Sequence, residues 1–283
     1  MKQFAIASGK GGTGKTFLAT HLFAAMEQSG FSVTLVDCDA EVPNDSLFVK
    51  EEVRKVWSAK VLCPEINVDQ CVYCGRCAEA CHFHAITCIP GAHYIKVMPD
   101  LCHGCSACIY QCAQRAISPS SKEVGKVTVY GDLPRLVEAR LNEGQHSPVP
   151  VIREALLRAY TGGADYLLLD APPGCSCPFV NTVMEADEVI LVTEPTPFGL
   201  NDLKNTVEVL RQLKKSFGVV INRSDLGDAA LKQYLTAQRI PLWAEIPYSE
   251  EVAHRYSRGE LDLNADAALK QVFMNLVKQL CIL

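Results

Sequence analysis

The run Gly9-Lys10-Gly11-Gly12-Thr13-Gly14-Lys15-Thr16 constrains this chain more than any other stretch. It fits G-x-x-x-x-G-K-[ST], and its flanks are of the right kind. Phe4–Ala7 before it is an apolar run that reads as a buried strand. Phe17–Ser29 after it places Leu18, Leu22, Ala25 and Met26 at helical spacing. Strand, glycine loop and helix make a phosphate cradle. The backbone N–H groups of Gly9, Gly11, Gly12, Thr13 and Gly14 are expected to be free to point at phosphate oxygens, and the helix N-terminus adds partial positive charge. Lys15 is expected to reach the β- and γ-phosphates, and Thr16 to offer its hydroxyl to Mg²⁺.

Other apolar runs end in polar residues, as strands of an open parallel sheet do at the rim where ligands bind. Phe31–Val36 ends in Asp37-Cys38-Asp39, with Asn44 close behind. Ala164–Leu169 ends in Asp170-Ala171-Pro172-Pro173-Gly174. Asp170 takes the Walker-B position, holding Mg²⁺ directly or through water, and the loop after it is suited to sensing a γ-phosphate. Val189–Thr193, Phe217–Ile221 and Ile240–Ile246 are further strands. The last two end at Asn222 and Pro247, and the Asn222 amide suits an adenine edge because it both donates and accepts. Ile152–Tyr160 and Leu203–Leu213 read as helices. A final helix carries Leu269, Val272, Phe273, Leu276, Val277, Leu280 and Leu283 on one face, for packing on the sheet. The expected fold is α/β, a mostly parallel doubly wound P-loop sheet.

Val61–Gln114 breaks that rhythm. Cys71-x-x-Cys74-x-x-Cys77-x-x-x-Cys81, then Ala85-Ile86, recurs as Cys102-x-x-Cys105-x-x-Cys108-x-x-x-Cys112, then Ala116-Ile117. The offset is 31 residues at every matched position, an internal duplication. Short apolar stretches, Ile66/Val68 and Ile95/Val97, precede the two runs as candidate strands. Three closely spaced thiolates wrap one corner of a cubane, and the fourth is carried off on a helical turn. In two-cluster ferredoxins that fourth cysteine ligates the other cluster. One [4Fe–4S] cluster is therefore expected on Cys71, Cys74, Cys77 and Cys112, the other on Cys102, Cys105, Cys108 and Cys81. Gly75 and Gly104 fit a backbone closing tightly around sulfide. Zinc is the rival, but its sites usually use separated C-x₂-C pairs. His82 and Ala113 follow the fourth cysteines where bacterial ferredoxins carry proline. That bears on rigidity, not ligation. With all eight cysteine positions filled, His82, His84, His93 and His103 are read as hydrogen-bonding or surface residues.

The domains are then a discontinuous P-loop domain, 1–60 and 119–283, and an inserted α+β ferredoxin-like domain, 61–118. Lys126–Tyr130 and Leu136–Leu141 read as strands of a linking segment with no evident chemistry. Fourteen cysteines without an export signal read as cluster ligands, not a disulfide framework, and point to a cytoplasmic protein. Cys38, Cys63, Cys88 and Cys281 lack partner spacing and read as packing. A net charge of −5 argues against a nucleic-acid partner. No apolar run reaches membrane-spanning length, so stable membrane insertion is not expected.

Lys10 within the glycine loop resembles the deviant Walker A of the MinD/ParA/nitrogenase-iron-protein class. Val36-Asp37-Cys38-Asp39 and Asp170-Ala171-Pro172-Pro173-Gly174 resemble its two switch regions. Glu194-Pro195-Thr196-Pro197-Phe198-Gly199 and Ile246-Pro247-Tyr248 are similar to later blocks of that family. With the cysteine insert, the chain resembles MinD-superfamily ATPases bearing an inserted ferredoxin domain. The resemblance implies ATP/ADP and Mg²⁺ as ligands and a nucleotide-sandwich homodimer. In it, Lys10 would reach the partner's phosphates, as an arginine finger supplied in trans does. It implies that Asp39 orients or deprotonates the attacking water, that Asp170 holds the magnesium shell, and that Asn222 and the loop at Pro247 flank adenine. In nitrogenase iron protein the switch-II cysteine that binds an intersubunit cluster lies seven residues past the switch-II aspartate. Here that position is Cys177, and Cys175 is the candidate second ligand for a third, bridging cluster.

Three functions are compatible with these residues. The first is an ATPase whose dimer switching drives electron transfer through two clusters to a redox partner. The second is a carrier that uses Cys175 and Cys177 to deliver a cluster or metal cofactor to an accepting protein. The third is a MinD-like scaffold whose clusters sense redox state.

Overall fold

The computed structural model describes residues 1–281. Strand β1 (Lys2–Ala7) leads through the glycine loop into helix α1 (Lys15–Gln28). Gly30, at φ 85°, turns the chain back, so β2 (Val33–Asp37) starts two residues later than expected. Then come β3 (Val53–Ile66), α2 (Arg76–Glu79), β4 (Ile86–Ile89), β5 (Tyr94–Val97), α3 (Ala107–Gln111) and β6 (Ile117–Tyr130). The chain continues as β7 (Leu136–Leu141), α4 (Val149–Tyr160), β8 (Tyr166–Asp170), α5 (Cys177–Glu185), β9 (Glu188–Thr193) and α6 (Pro197–Gln212). It closes with β10 (Ser216–Asn222), α7 (Ala230–Ala237), β11 (Leu242–Ile246), α8 (Glu250–Tyr256) and α9 (Ala267–Cys281). Leu283, expected on the last apolar face, lies outside the described residues.

Nine strands form one sheet in the order β11-β10-β9-β1-β8-β2-β7-β6-β3. The first seven run parallel, and β6 and β3 are antiparallel additions at one edge. One face packs on α4–α7 through residues such as Ile152, Phe179, Leu203 and Leu231, the other on α1 and α9 through Leu18, Leu22, Phe273 and Leu276. Burial on both faces explains why the central strands read as unbroken apolar runs. Among the described residues, no helix is long and apolar enough to cross a membrane.

Strands β3 and β6 form a ribbon of 14 residues each that crosses both expected domain boundaries. Leu141, the last residue of β7, pairs with Gly125, and Gly125 pairs with Ala59. Everything beyond, Lys60–Ile66 with Ile117–Glu123, projects past the C-terminal ends of the parallel strands. Seven residues at strand rise carry the ribbon about 20 Å out. A register shift between Ala59 and Lys60 leaves Val124 as an extra residue where the ribbon departs, and such bulges re-aim a strand. A side chain on Gly125 would sit 2.5 Å from Arg140 O and 2.6 Å from a Val151 methyl. The cysteine runs cap this ribbon as a small lobe with its own hairpin, β4–β5, and its own apolar center of Cys77, Ile86, Cys108 and Ile117. Ile95 and Val97 lie in β5 as expected, whereas β3 stops at Ile66, short of Val68.

His21 on α1 is 3% exposed, with Nδ1 2.8 Å from Phe17 O and its ring 5.4 Å from Phe273. Burial pushes its pKa down from 6.5 to about 4. The folded value lies below the unfolded one. The neutral ring's contribution is therefore present above pH 6.5 and is lost as pH falls toward 4. Between pH 7 and pH 4.5, urea unfolding is expected to show a loss about 2 to 3 kcal/mol larger in the native chain than in His21→Phe.

Candidate functional site

The glycine loop bridges β1 and α1 at the sheet rim. Gly14 precedes α1 at φ 95°, and a side chain there would lie 2.3 Å from the Asn222 amide nitrogen. Lys15 is buried at the helix start, and Thr16 Oγ1 donates to Asp170 Oδ2 at 2.7 Å. Thr13 Oγ1 and Asp170 Oδ1 are buried without hydrogen-bond partners among the described residues. Orphaned buried oxygens are costly, and phosphate oxygens with hydrated Mg²⁺ relieve both. The residues present thus fit a magnesium nucleotide. Burial pushes the Asp170 carboxyl up to about 6, against the pull of Lys15 and Thr16. A bound cation at Asp170 favours its ionised form.

Asp37 ends β2 beside Asp170, and its carboxylate accepts N–H bonds from Asp39, Asn44 and Asp45 at 3.1, 2.8 and 3.0 Å. It shapes the loop after β2, while Asp39 stands half-exposed at that loop's start within the field of Lys15. Burial raises the Asp39 pKa and Lys15 opposes the shift. Lys10 is half-exposed, and its carbonyl accepts from Ser8 Oγ at 2.6 Å. Gly174 N donates to Ser8 O at 3.1 Å, tying the loop after β8 to the base of the glycine loop. Beyond Gly174, Cys175 and Cys177 are both exposed. Cys175 Sγ lies 3.6 Å from Thr206 Oγ1, and Cys177 opens α5.

A cavity of about 310 Å³ opens beside the loop, lined by Gly14, Thr16, Asn222, Pro247, Tyr248 and Tyr256 among others. Asn222 and Pro247 meet there as expected. However, Asn222 Nδ2 donates to Thr13 O at 2.9 Å and Oδ1 accepts from Arg223 N at 3.0 Å, so its amide braces the loop.

In the ribbon-tip lobe, one cavity of about 220 Å³ is lined by Cys71, Cys74, Cys77 and Cys112. A second, of about 20 Å³, is lined by Cys81, Cys102, Cys105 and Cys108. Each gathers three cysteines of one run and the fourth of the other. Backbone N–H groups donate to sulfur in matched pairs: Tyr73 to Cys71 and Gly104 to Cys102 at 3.4 Å, Ala85 to Cys81 and Ala116 to Cys112 at 3.3 Å. The left-handed residues also recur in register, as Tyr73/Gly104, Gly75/Ser106 and His84/Arg115. The strain held at the four non-glycine positions shapes both loops alike. No two of these cysteines are joined as a disulfide. Among the described residues, no group of three or more His, Cys, Asp or Glu side chains could hold a single metal ion. Each set of thiols instead surrounds a space. Thiols accepting backbone N–H bonds are a donor set that fits an iron–sulfur cluster.

The CobQ/CobB/MinD/ParA nucleotide-binding domain matches residues 4–263. The chain belongs to this family. As a member of the MinD/ParA group it is an ATP-binding P-loop ATPase. An uncharacterized protein of Methanocaldococcus jannaschii is 31% identical over 80% of this chain and 79% of its own length. The iron-sulfur cluster carrier protein of Aquifex aeolicus is 23% identical over 98% of this chain and 66% of its own. The MinD cell division protein of Aquifex aeolicus aligns with a TM-score of 0.61 at 17% identity, covering 99% of this chain and 96% of that one, a likeness of fold.

Two features of this MinD/ParA site escape sequence reading. Asp45 is fully buried with both carboxylate oxygens lacking partners among the described residues, and burial, then Asp37 and Asp170, raises its pKa. In sequence it looks like any polar residue in a turn. Tyr256 walls the large cavity from α8, a short helix with no motif to mark it, whereas Tyr248 beside it belongs to the Ile246-Pro247-Tyr248 block.

Proposed function

We propose that the chain is an ATPase that couples nucleotide-driven dimer switching to electron transfer through two [4Fe–4S] clusters in the ribbon-tip lobe. The observation that carries this reading is the pair of four-cysteine cavities, standing off the same rim as the nucleotide loop. Cys71, Cys74, Cys77 and Cys112 would hold one cluster and Cys81, Cys102, Cys105 and Cys108 the other. Such clusters supply one-electron chemistry at potentials tuned by hydrogen bonds to sulfur and by solvent exposure. Lys15 binds the β- and γ-phosphates, Thr16 and Asp170 hold the magnesium shell, and Asp39 orients the attacking water. Lys10 acts on the phosphates of a second copy, completing the site only in the homodimer.

The route from nucleotide to lobe is short. β7 stands three strand spacings from β1, about 15 Å. Leu141 N donates to Ala40 O at 2.8 Å, joining the loop after β2 to the end of β7. Asn142 N then donates to Val124 O at 3.0 Å, at the bulge where the ribbon leaves the sheet. A shift of Asp39 and Ala40 on nucleotide exchange pulls on the root of the ribbon. Anaerobic stopped-flow tests this. Oxidation of the dithionite-reduced protein by a one-electron dye is expected to differ several-fold between Mg-ATP and Mg-ADP. Equal rates in a preparation that hydrolyses ATP would refute the coupling.

A second reading, a carrier that delivers a cluster, is favoured by Cys175 and Cys177. Both are exposed just past Gly174, which ties back to Ser8, with Cys177 at the start of α5. In that case Cys177→Ala lowers the iron bound per dimer and changes the ATPase rate. If neither moves, this reading is dropped.

A further inference from the structure

The two cysteine cavities are copies of one another. Every residue lining the smaller cavity has a counterpart 31 positions away lining the larger, including Pro64 against Ile95. They nevertheless differ about tenfold in volume, 20 against 220 Å³. Among the matched positions that differ in residue type are two facing pairs. At the smaller cavity these are Phe83 and His103, whose rings stack at 3.8 Å and 17°. At the larger one they are Gln114 and Val72, which line the wall, with Val72 60% exposed.

The smaller cavity is also held against the ribbon. Gly104 approaches Leu62 O so closely that a side chain would lie 3.0 Å from it, and Lys122 bonds Asp100 at 2.5 Å. At the position matching Gly104, the larger cavity has Tyr73, whose ring meets that of His93 in the lobe at 5.0 Å.

We propose that the two sites are unequal in access. Phe83 and His103 form a lid that closes the site of Cys81, Cys102, Cys105 and Cys108. The site of Cys71, Cys74, Cys77 and Cys112 is the open one, where exchange with the outside takes place. This rests on the reading that both cavities hold clusters. The stacked pair lines its cavity and Phe83 is exposed to solvent; as a lid, its rings part when that site is loaded or emptied. Val72 and Gln114 impose no such step. The lidded site is retained, and the open one meets partners and solvent first.

Iron release to bathophenanthroline disulfonate under anaerobic conditions tests this on the intact protein. Two phases of about four irons each are expected, the slow one at least tenfold slower. Cys74→Ser removes the fast phase and Cys105→Ser the slow one. Exchanging the lid gives the sharper test. Phe83→Gln with His103→Val makes the slow phase fast, and Val72→His with Gln114→Phe slows the fast phase. Phe83→Ala alone gives the first result if the double variant folds poorly. A protein carrying about eight irons that releases them in one phase, or whose slow phase ignores the lid variants, overturns the inequality but not the clusters. A protein without iron overturns both.

Discussion

Lys15→Ala is expected to lower ATP turnover by at least about 10²-fold and to weaken ATP and ADP binding together. Lys15 is buried at the start of α1 and is the cation whose field opposes the raised pKa values of both Asp39 and Asp170. Removing it takes away the proposed phosphate contact and the cation that opposes the raised pKa values of Asp39 and the buried Asp170. Lys15→Arg keeps the charge but not the compact ammonium, and restores binding more than turnover. Lys10→Ala separates the two roles. Lys10 is half-exposed and its own carbonyl is held by Ser8. Its loss is expected to leave ADP affinity within a few-fold while removing hydrolysis and ATP-dependent dimers. Nucleotide titration by calorimetry, phosphate release and sedimentation read the three quantities. A Lys15→Ala protein that binds ADP normally would contradict the assigned site.

The second large effect concerns which cysteines belong together. The cavities pair Cys112 with Cys71, Cys74 and Cys77, and Cys81 with Cys102, Cys105 and Cys108. Single variants cannot distinguish this from ligation within each run, because either arrangement loses one cluster. Double variants can. Cys74→Ser with Cys112→Ser strikes one site and is expected to leave about four irons per chain. Cys74→Ser with Cys81→Ser strikes both and leaves none. Ligation within each run predicts the reverse. Iron and acid-labile sulfide, measured on anaerobically purified protein, decide it.

The glycine loop, the parallel strands and the cysteine duplication were legible because each carries local chemistry. β1, β2 and β8 are buried on both faces and read as apolar runs ending in the residues that line the rim. The ribbon was harder. The N-terminal end of β3, Val53–Val56, is exposed, and β6 begins Ile117-Ser118-Pro119-Ser120-Ser121, a composition that looks like a loop. Its strand character comes from cross-strand pairing over more than 50 residues of sequence, which no local pattern records. Only Lys126–Tyr130, where β6 lies inside the sheet and alternates, stood out. α7 and α8 are short and largely exposed, so they offer little periodicity. The stacking of Phe83 on His103 joins residues 20 positions apart and is set by the lobe's tertiary structure. Asp45 carries no mark in the sequence because burial, not residue type, makes it unusual.

In the proposed mechanism, a MinD/ParA-family nucleotide site and two four-iron sites work from the same rim of the sheet. Iron and sulfide content together with EPR of the anaerobic protein, reduced and then given Mg-ATP or Mg-ADP, tests it most directly. About eight irons per chain, with reduced-cluster signals that change between the two nucleotides, is the predicted result. One or two zinc ions per chain and no EPR signal would contradict it.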